Sequence, residues 1–339
     1  MRKHVFVTLF MAGTCIVVGP QLATAQSDSG AAATSLVPRH ADGRPDLQGV
    51  WDFRSNIPLE RRDPAAAQAA RAAAQRSADT AADDGRARDE DLVSYNQFWF
   101  DSGAEVEDER TSLIVSPADG RLPPLVPGTN RQVGSYMKSF LPAERPVRYR
   151  GGGAYPNGPE DRGIAERCLV GFNTGPPLLP GGYNQNLQVF QTPDHVVIYN
   201  EMVHDARIVP LDGRPHLPNA IRQWLGDSRG YWDGDTLVIE STNFTEKTSG
   251  FNDSLTTGMG DGTTLHLTER LRFSDAHTLE YEFTVNDPAT FTRPFTGMIP
   301  MVKSDGLIFE YACHEGNYGL SDILAGARME EQRAERATK

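Results

Sequence analysis

Apolar and polar residues alternate with a period of two through much of the second half of the chain. In "TLEYEFTV", Leu279, Tyr281, Phe283 and Val285 fall on one face, and Thr278, Glu280, Glu282 and Thr284 on the other. Successive side chains of a strand point to opposite faces of its sheet, so this is the pattern of a half-buried β-strand. "NLQVFQT" and "HVVIYNEMV" flank Pro193-Asp194, Asp233-Gly234 sits inside "YWDGDTLVIEST", and Ser274-Asp275 separates "HLTERLRF" from "HTLEYEFTV". Turn pairs of this kind between β-rich runs mark hairpins, and several in succession predict an antiparallel meander rather than β–α–β units. By the same reading "GMIPMVK" and "LIFEYAC" form one more hairpin about Asp305-Gly306. A meander has two edges to manage, and closure into a barrel removes both. The expected fold is mainly β, a closed or nearly closed barrel, with a β-sandwich as the alternative.

Helical signals flank this region. Asp63-Pro64 suits an N-cap and first helical position, and the alanine-rich run to about Asp79 predicts a surface helix. Leu320, Ile323, Leu324 and Ala327 recur at helical spacing before the chain becomes wholly charged, which predicts a C-terminal helix docked by its first half. Residues 110–182 are rich in Pro and Gly and are expected to wrap the sheet or cover a site. "GMGDG", Gly258 to Gly262, has no Lys-Ser/Thr after it and reads as a mobile hairpin loop, not a phosphate loop. Residues 43–339 are expected to form one β-rich domain.

The N-terminus changes the picture by adding a compartment. Arg2-Lys3, the apolar stretch Val5 to Val18 and Ala23-Thr24-Ala25 have the layout of a secretory signal peptide cleaved after Ala25, with a disordered leader over 26–42. The apolar stretch is short for a membrane span, and no later segment is apolar enough to insert. Cleavage removes Arg2 and Lys3 and no acidic residue, moving the net charge from -12 to -14. Such acidity argues against nucleic acid or an anionic membrane surface as partner. Cys168 and Cys313 remain, an even count that in an oxidising compartment favours one disulfide over two buried thiols.

The runs "GPPLLPGGYN", "QTPDHVVI", "HDARIVPLDGRPHLP", "IRQWLGDSRGYWDGDTLVIESTNFT" and "EYACHEGNYGLSDILAGAR" resemble a recurrent family of secreted bacterial proteins. The resemblance implies a secreted, periplasmic setting and brings with it no reaction, cofactor or catalytic residue. A shorter likeness, Gly49-Val50-Trp51, resembles the Gly-x-Trp that opens the first strand of lipocalins and related barrels, and implies an interior cavity.

Chemistry must then come from the residues. His204, Asp205 and Arg207, with Arg214 and His216 beyond the next turn, can supply a base, an orienting carboxylate and a stabilising cation, or simply a polar strand end. In "LHLTERLRF", Glu269 shares a face with Leu265, Leu267, Leu271 and Phe273, so it needs a partner or a raised pKa. Around "WLGDSRGYWDGD", Trp224, Arg229, Tyr231 and Trp232 are candidates to contact substrate, with Asp227 beside them. In "YACHEGNYG", His314 and Tyr318 stand next to Cys313 and suit proton abstraction and return if the disulfide holds them rigidly. H-E-x-x-H, Cys-x-x-Cys and an EF-hand loop are all missing from the sequence, so no metal site and no cofactor are expected. The expected function is binding of a small apolar or aromatic molecule, with metal-independent lyase, isomerase or hydrolase chemistry carried by His204, Asp205, Arg207, Glu269, His314 and Tyr318. A non-catalytic ligand carrier or a structural envelope protein is the alternative.

Overall fold

The alternating runs become one ten-stranded antiparallel sheet. The computed structural model describes residues 37–63, 65, 110–129, 131–133, 157–181, 183–247, 249–252 and 257–338. Its strands in chain order are β1 (Gly49–Asp52), β2 (Ile114–Ser116), β3 (Arg131–Val133), β4 (Asn186–Gln191), β5 (His195–Asn200), β6 (Ala206–Pro210) and β7 (Asp227–Asp233). They continue as β8 (Thr236–Thr242), β9 (Phe251–Asn252), β10 (Thr257–Met259), β11 (His266–Asp275), β12 (Thr278–Asn286) and β13 (Phe295–Ser304), followed by helix α1 (Tyr318–Ala337). The main sheet runs β6-β5-β4-β1-β13-β12-β11-β8-β7, with β2 added beside β13. A three-stranded sheet, β3-β10-β9, stands separately. "GMGDG" thus contributes residues to a strand as well as to a turn.

The hairpins form where the turn pairs predict them about Pro193-Asp194, Asp233-Gly234 and Ser274-Asp275. Asp233 pairs with Thr236 across Gly234 and Asp235, and Gly234 has φ +59°, a conformation that glycine adopts without a side-chain clash. β11 and β12 stay in register from His266↔Asn286 to Phe273↔Leu279. The face holding Leu279, Tyr281, Phe283 and Val285 is buried, as is that of Leu267, Glu269 and Leu271. Trp51 lies fully buried in the same core and donates its indole N–H to Leu47 O at 2.9 Å. Phe251, Phe291 and Phe295 pack edge to face with centroids 5.1–6.0 Å apart, joining β9 of the small sheet to β13.

Three expectations are corrected. The long meander strands lie together in the one ten-stranded sheet rather than dividing between the two sheets of a sandwich, and that sheet is not closed into a barrel. All eight steps from β6 to β7 are antiparallel, which leaves the two end strands pointing the same way; closure would require a parallel ladder between them. Asn200 N–H donates to Asp205 O and Leu211 N–H to Asp194 O, so by alternation the backbones of Ala206, Ile208 and Pro210 face outward from β6. Pro210 has no N–H to offer there. The two ends instead meet by side-chain packing. A Cβ on Gly230 would come within 2.7 Å of Leu211 Cδ2 and 2.8 Å of Val209 Cγ1.

The third correction concerns "LIFEYAC". Residues 307–312 form no strand and pair with nothing in a ladder; Leu307 and Phe309 are exposed. The chain leaves β13 at Ser304 and crosses to the Cys168–Cys313 disulfide, whose Cα atoms are 5.8 Å apart. The predicted bond is therefore formed, as fits folding in an oxidising compartment. α1 follows, capped by the Asn317 side chain accepting from Leu320 N–H, and none of its side chains is buried. Among the described residues no helix is long and apolar enough to cross a membrane. The surface helix expected after Asp63-Pro64 lies outside the described residues, as does the signal segment.

Leu113, Ile114 and Leu178 of the Pro/Gly-rich region belong to the core of the sheet. Leu113, Ile114, Ile164, Val170 and Leu178 are buried. Leu178 also spends its backbone N–H on Tyr281 Oη at 3.0 Å.

Candidate functional site

The seam between β6 and β7 closes at Val209 and Gly230 and opens beyond them into a groove of about 530 Å³. Asp205 to Ile208 form one wall, Arg222 to Ser228 the other, and Leu169 and Val170 of the wrapping region contribute to it. Trp224 supplies its aromatic surface.

Arg207 belongs to this groove and to the core at once. β6 alternates, so Arg207 and Val209 point inward while Ala206 and Ile208 point out. Arg207 is 6 % exposed and Glu269, on β11, is 0 % exposed. Both guanidinium Nη atoms donate to the Glu269 carboxylate: Nη2 to Oε1 at 2.9 Å, and Nη1 to Oε2. Tyr281 donates its hydroxyl to Oε1 at 2.7 Å. The apolar-face carboxylate thus has its partner, and the pairing is structural. Burial acts to lower the Arg207 pKa, but the adjacent Glu269 charge outweighs it and the net shift is upward. Tyr281 is pushed well above the usual phenol value, first by burial and then by the Glu269 charge. Glu269 is enclosed by these partners and fully buried, so it is not placed to exchange protons with a ligand.

A second polar group stands on the other wall. Asp227, at the start of β7, is 5 % exposed and accepts three hydrogen bonds. His216 Nδ1 lies 2.9 Å from Oδ2, Leu217 N–H donates to the same oxygen at 2.9 Å, and Arg229 Nη1 donates to Oδ1 at 2.6 Å. Burial pushes the Asp227 pKa up, but these donors together hold it below the ordinary carboxylate value. An ionised carboxylate only accepts, so Nδ1 must carry the imidazole proton. In the neutral ring Nε2 is then the basic nitrogen. The segment bearing His216 is strapped down on both sides: Arg229 Nε donates to Pro215 O at 3.1 Å, and Asn243 Nδ2 to Leu217 O at 2.7 Å. Arg214 takes no part; it pairs with exposed Asp212, whose pKa its hydrogen bonds hold down at about 2.

The remaining candidates are scattered. His204 is exposed, and its Nδ1 is turned to Tyr311 O at 3.3 Å. Asp205 does line the groove and accepts from Gly171 N–H at 3.3 Å. His314 and Tyr318 are exposed around the start of α1 and reach neither the groove nor Glu269. Tyr231 faces outward, and Trp232 packs against the core. The structure therefore brings together Asp205, Arg207 and Trp224, with Arg229 acting through Asp227; Glu269 is buried against Arg207, and His204 and His314 are exposed and are not among the residues lining the groove. The His216–Asp227 pair joins residues from two sequence runs whose own neighbours showed nothing of the contact; the buried position of Asp227 under the "PHL" segment was the missing signal. Among the described residues no three metal-ligating side chains gather.

Comparison with family models, with curated proteins and with solved structures returns no match, so the functional reading rests on the residues themselves.

Proposed function

We propose that this is a secreted, periplasmic protein that binds a small, partly aromatic molecule in the β6–β7 groove and acts on it by acid–base chemistry, with His216 as the proton carrier. The observation that supports this reading most is the 2.9 Å contact between His216 and a buried, triply bonded Asp227 on the groove wall. A carboxylate that fixes the tautomer and orientation of an imidazole leaves one nitrogen free to take a proton and return it, the arrangement general base catalysis requires. Trp224 offers a stacking surface. A lyase or isomerase fits these parts. His204, Glu269 and His314 are given no part in this reading, because none of them is among the residues lining the groove and Glu269 is fully buried.

The carrier reading keeps one observation in its favour: the residues lining the groove include Asp227 but not His216, which stands behind that carboxylate. One experiment separates the two. Aromatic acids and ketones are screened for displacement of 1-anilinonaphthalene-8-sulfonate, and each displacing compound is incubated with the protein and followed by mass spectrometry. The enzyme reading expects at least one to be converted by wild type and to be bound but not converted by His216→Ala. Binding without conversion in wild type supports a carrier. Displacement unchanged by Trp224→Ala would remove the groove from the account.

A further inference from the structure

A larger cavity, of about 790 Å³, lies beside the disulfide and shares no lining residue with the groove. Its walls hold three glutamates, Glu166, Glu201 and Glu310, and three aromatic side chains, Tyr183, Phe309 and Tyr311. The rest of the lining is neutral, and no Lys, Arg or His takes part.

Glu201 is the telling residue. It follows β5, is 5 % exposed, and forms no ion pair among the described residues. Its carboxylate accepts from Asn186 Nδ2 at 2.9 Å and, weakly, from Phe309 N–H at 3.4 Å. A carboxylate offers about four acceptor positions, so two neutral donors leave it under-satisfied. Burying a charge without a counter-charge is expensive, and the usual remedies are a cation or proton uptake. Glu166 differs: Arg162 Nη2 donates to it at 2.8 Å.

We propose that this cavity binds an organic cation, an ammonium or guanidinium group on an apolar body. The carboxylate of Glu201 takes the charge, and the faces of Tyr183, Phe309 and Tyr311 take the apolar part and add cation–π attraction. The aromatic walls, and the lack of three clustered metal-ligating groups among the described residues, favour an organic cation over an inorganic one. The chain's net charge of -12 steers cations toward it. The site is built from segments far apart in sequence, and the Cys168–Cys313 bond holds Phe309 to Cys313 against residues 165–168. It owes nothing to the groove or to His216.

The test is calorimetric titration of the full chain with three probes: benzyltrimethylammonium, phenylacetate and calcium chloride. Benzyltrimethylammonium is expected to bind, and the other two are not. Glu201→Gln should weaken binding at least tenfold, while His216→Ala, outside this cavity, leaves it unchanged. If Glu201→Gln fails to fold, Phe309→Ala serves instead: Phe309 is 69 % exposed, so its loss is tolerated by the fold and should weaken the cation alone. No heat from benzyltrimethylammonium, equal binding of phenylacetate, preference for calcium, or indifference to both substitutions would each overturn the proposal.

Discussion

Arg207 and Glu269 hold each other in the inner face of the sheet, and neither is tolerable there alone. Removing one partner of a buried pair leaves an uncompensated charge, so Arg207→Met or Glu269→Ala should each lower stability by about 3–5 kcal/mol. The double variant Arg207→Met/Glu269→Leu should recover most of that loss, because an apolar pair of similar volume removes both charges at once. Urea unfolding of the four proteins checks this. Tyr281 adds a pH dependence whose sign follows from its raised pKa. Its neutral form is favoured in the fold, so its contribution is intact below the unfolded phenol value near pH 10 and is lost as pH rises toward the higher folded value. Stability should fall from pH 9.5 to 11, and Tyr281→Phe should make that slope shallower by up to about 1.4 kcal/mol per pH unit. An unchanged slope would place the proton elsewhere. The need for a Glu269 partner was legible in "LHLTERLRF", because a carboxylate interrupted an apolar face. Its identity was not, since Arg207 is 62 residues away.

At the scale of elements, period-two alternation located β7, β8, β11 and β12 because each has a neighbouring ladder on which to bury one face. "LIFEYAC" alternates equally well and forms no strand. The difference is tertiary: Cys313 is pulled to Cys168, and Phe309 N–H is turned to Glu201, so the run never returns along β13. That disulfide closes a separation of 145 residues, for which chain entropy suggests about 5 kcal/mol at most. Cys168→Ser/Cys313→Ser should lower the denaturation midpoint accordingly. It should also bring amide exchange in α1, which buries no side chain, to nearly unprotected rates while β11 and β12 stay protected. Loss of protection in all three together would show that the bond supports the whole sheet. At the seam, Gly230→Ala forces Leu211 and Val209 aside and is expected to cost about 1–3 kcal/mol, read by thermal unfolding.

For the whole molecule, strand number decides what the sequence could only leave open. Barrel and sandwich use the same alternation; an odd run of nine antiparallel strands brings its ends together in parallel, and Pro210 denies a donor where they meet. The resulting groove unites residues from β6, β7 and the wrapping region, which is why its composition was invisible to local pattern while its individual polar residues were not. The decisive question is whether His216 exchanges a proton with a compound bound in that groove. The direct measurement is deuterium uptake or conversion of a groove-bound aromatic ketone in D₂O, followed by mass spectrometry. Wild type is predicted to exchange or convert the compound, His216→Ala to bind it with the rate reduced by about 10²–10⁴, and Asp227→Asn to fall between them. Equal rates in wild type and His216→Ala, or binding with no reaction in wild type, would contradict it.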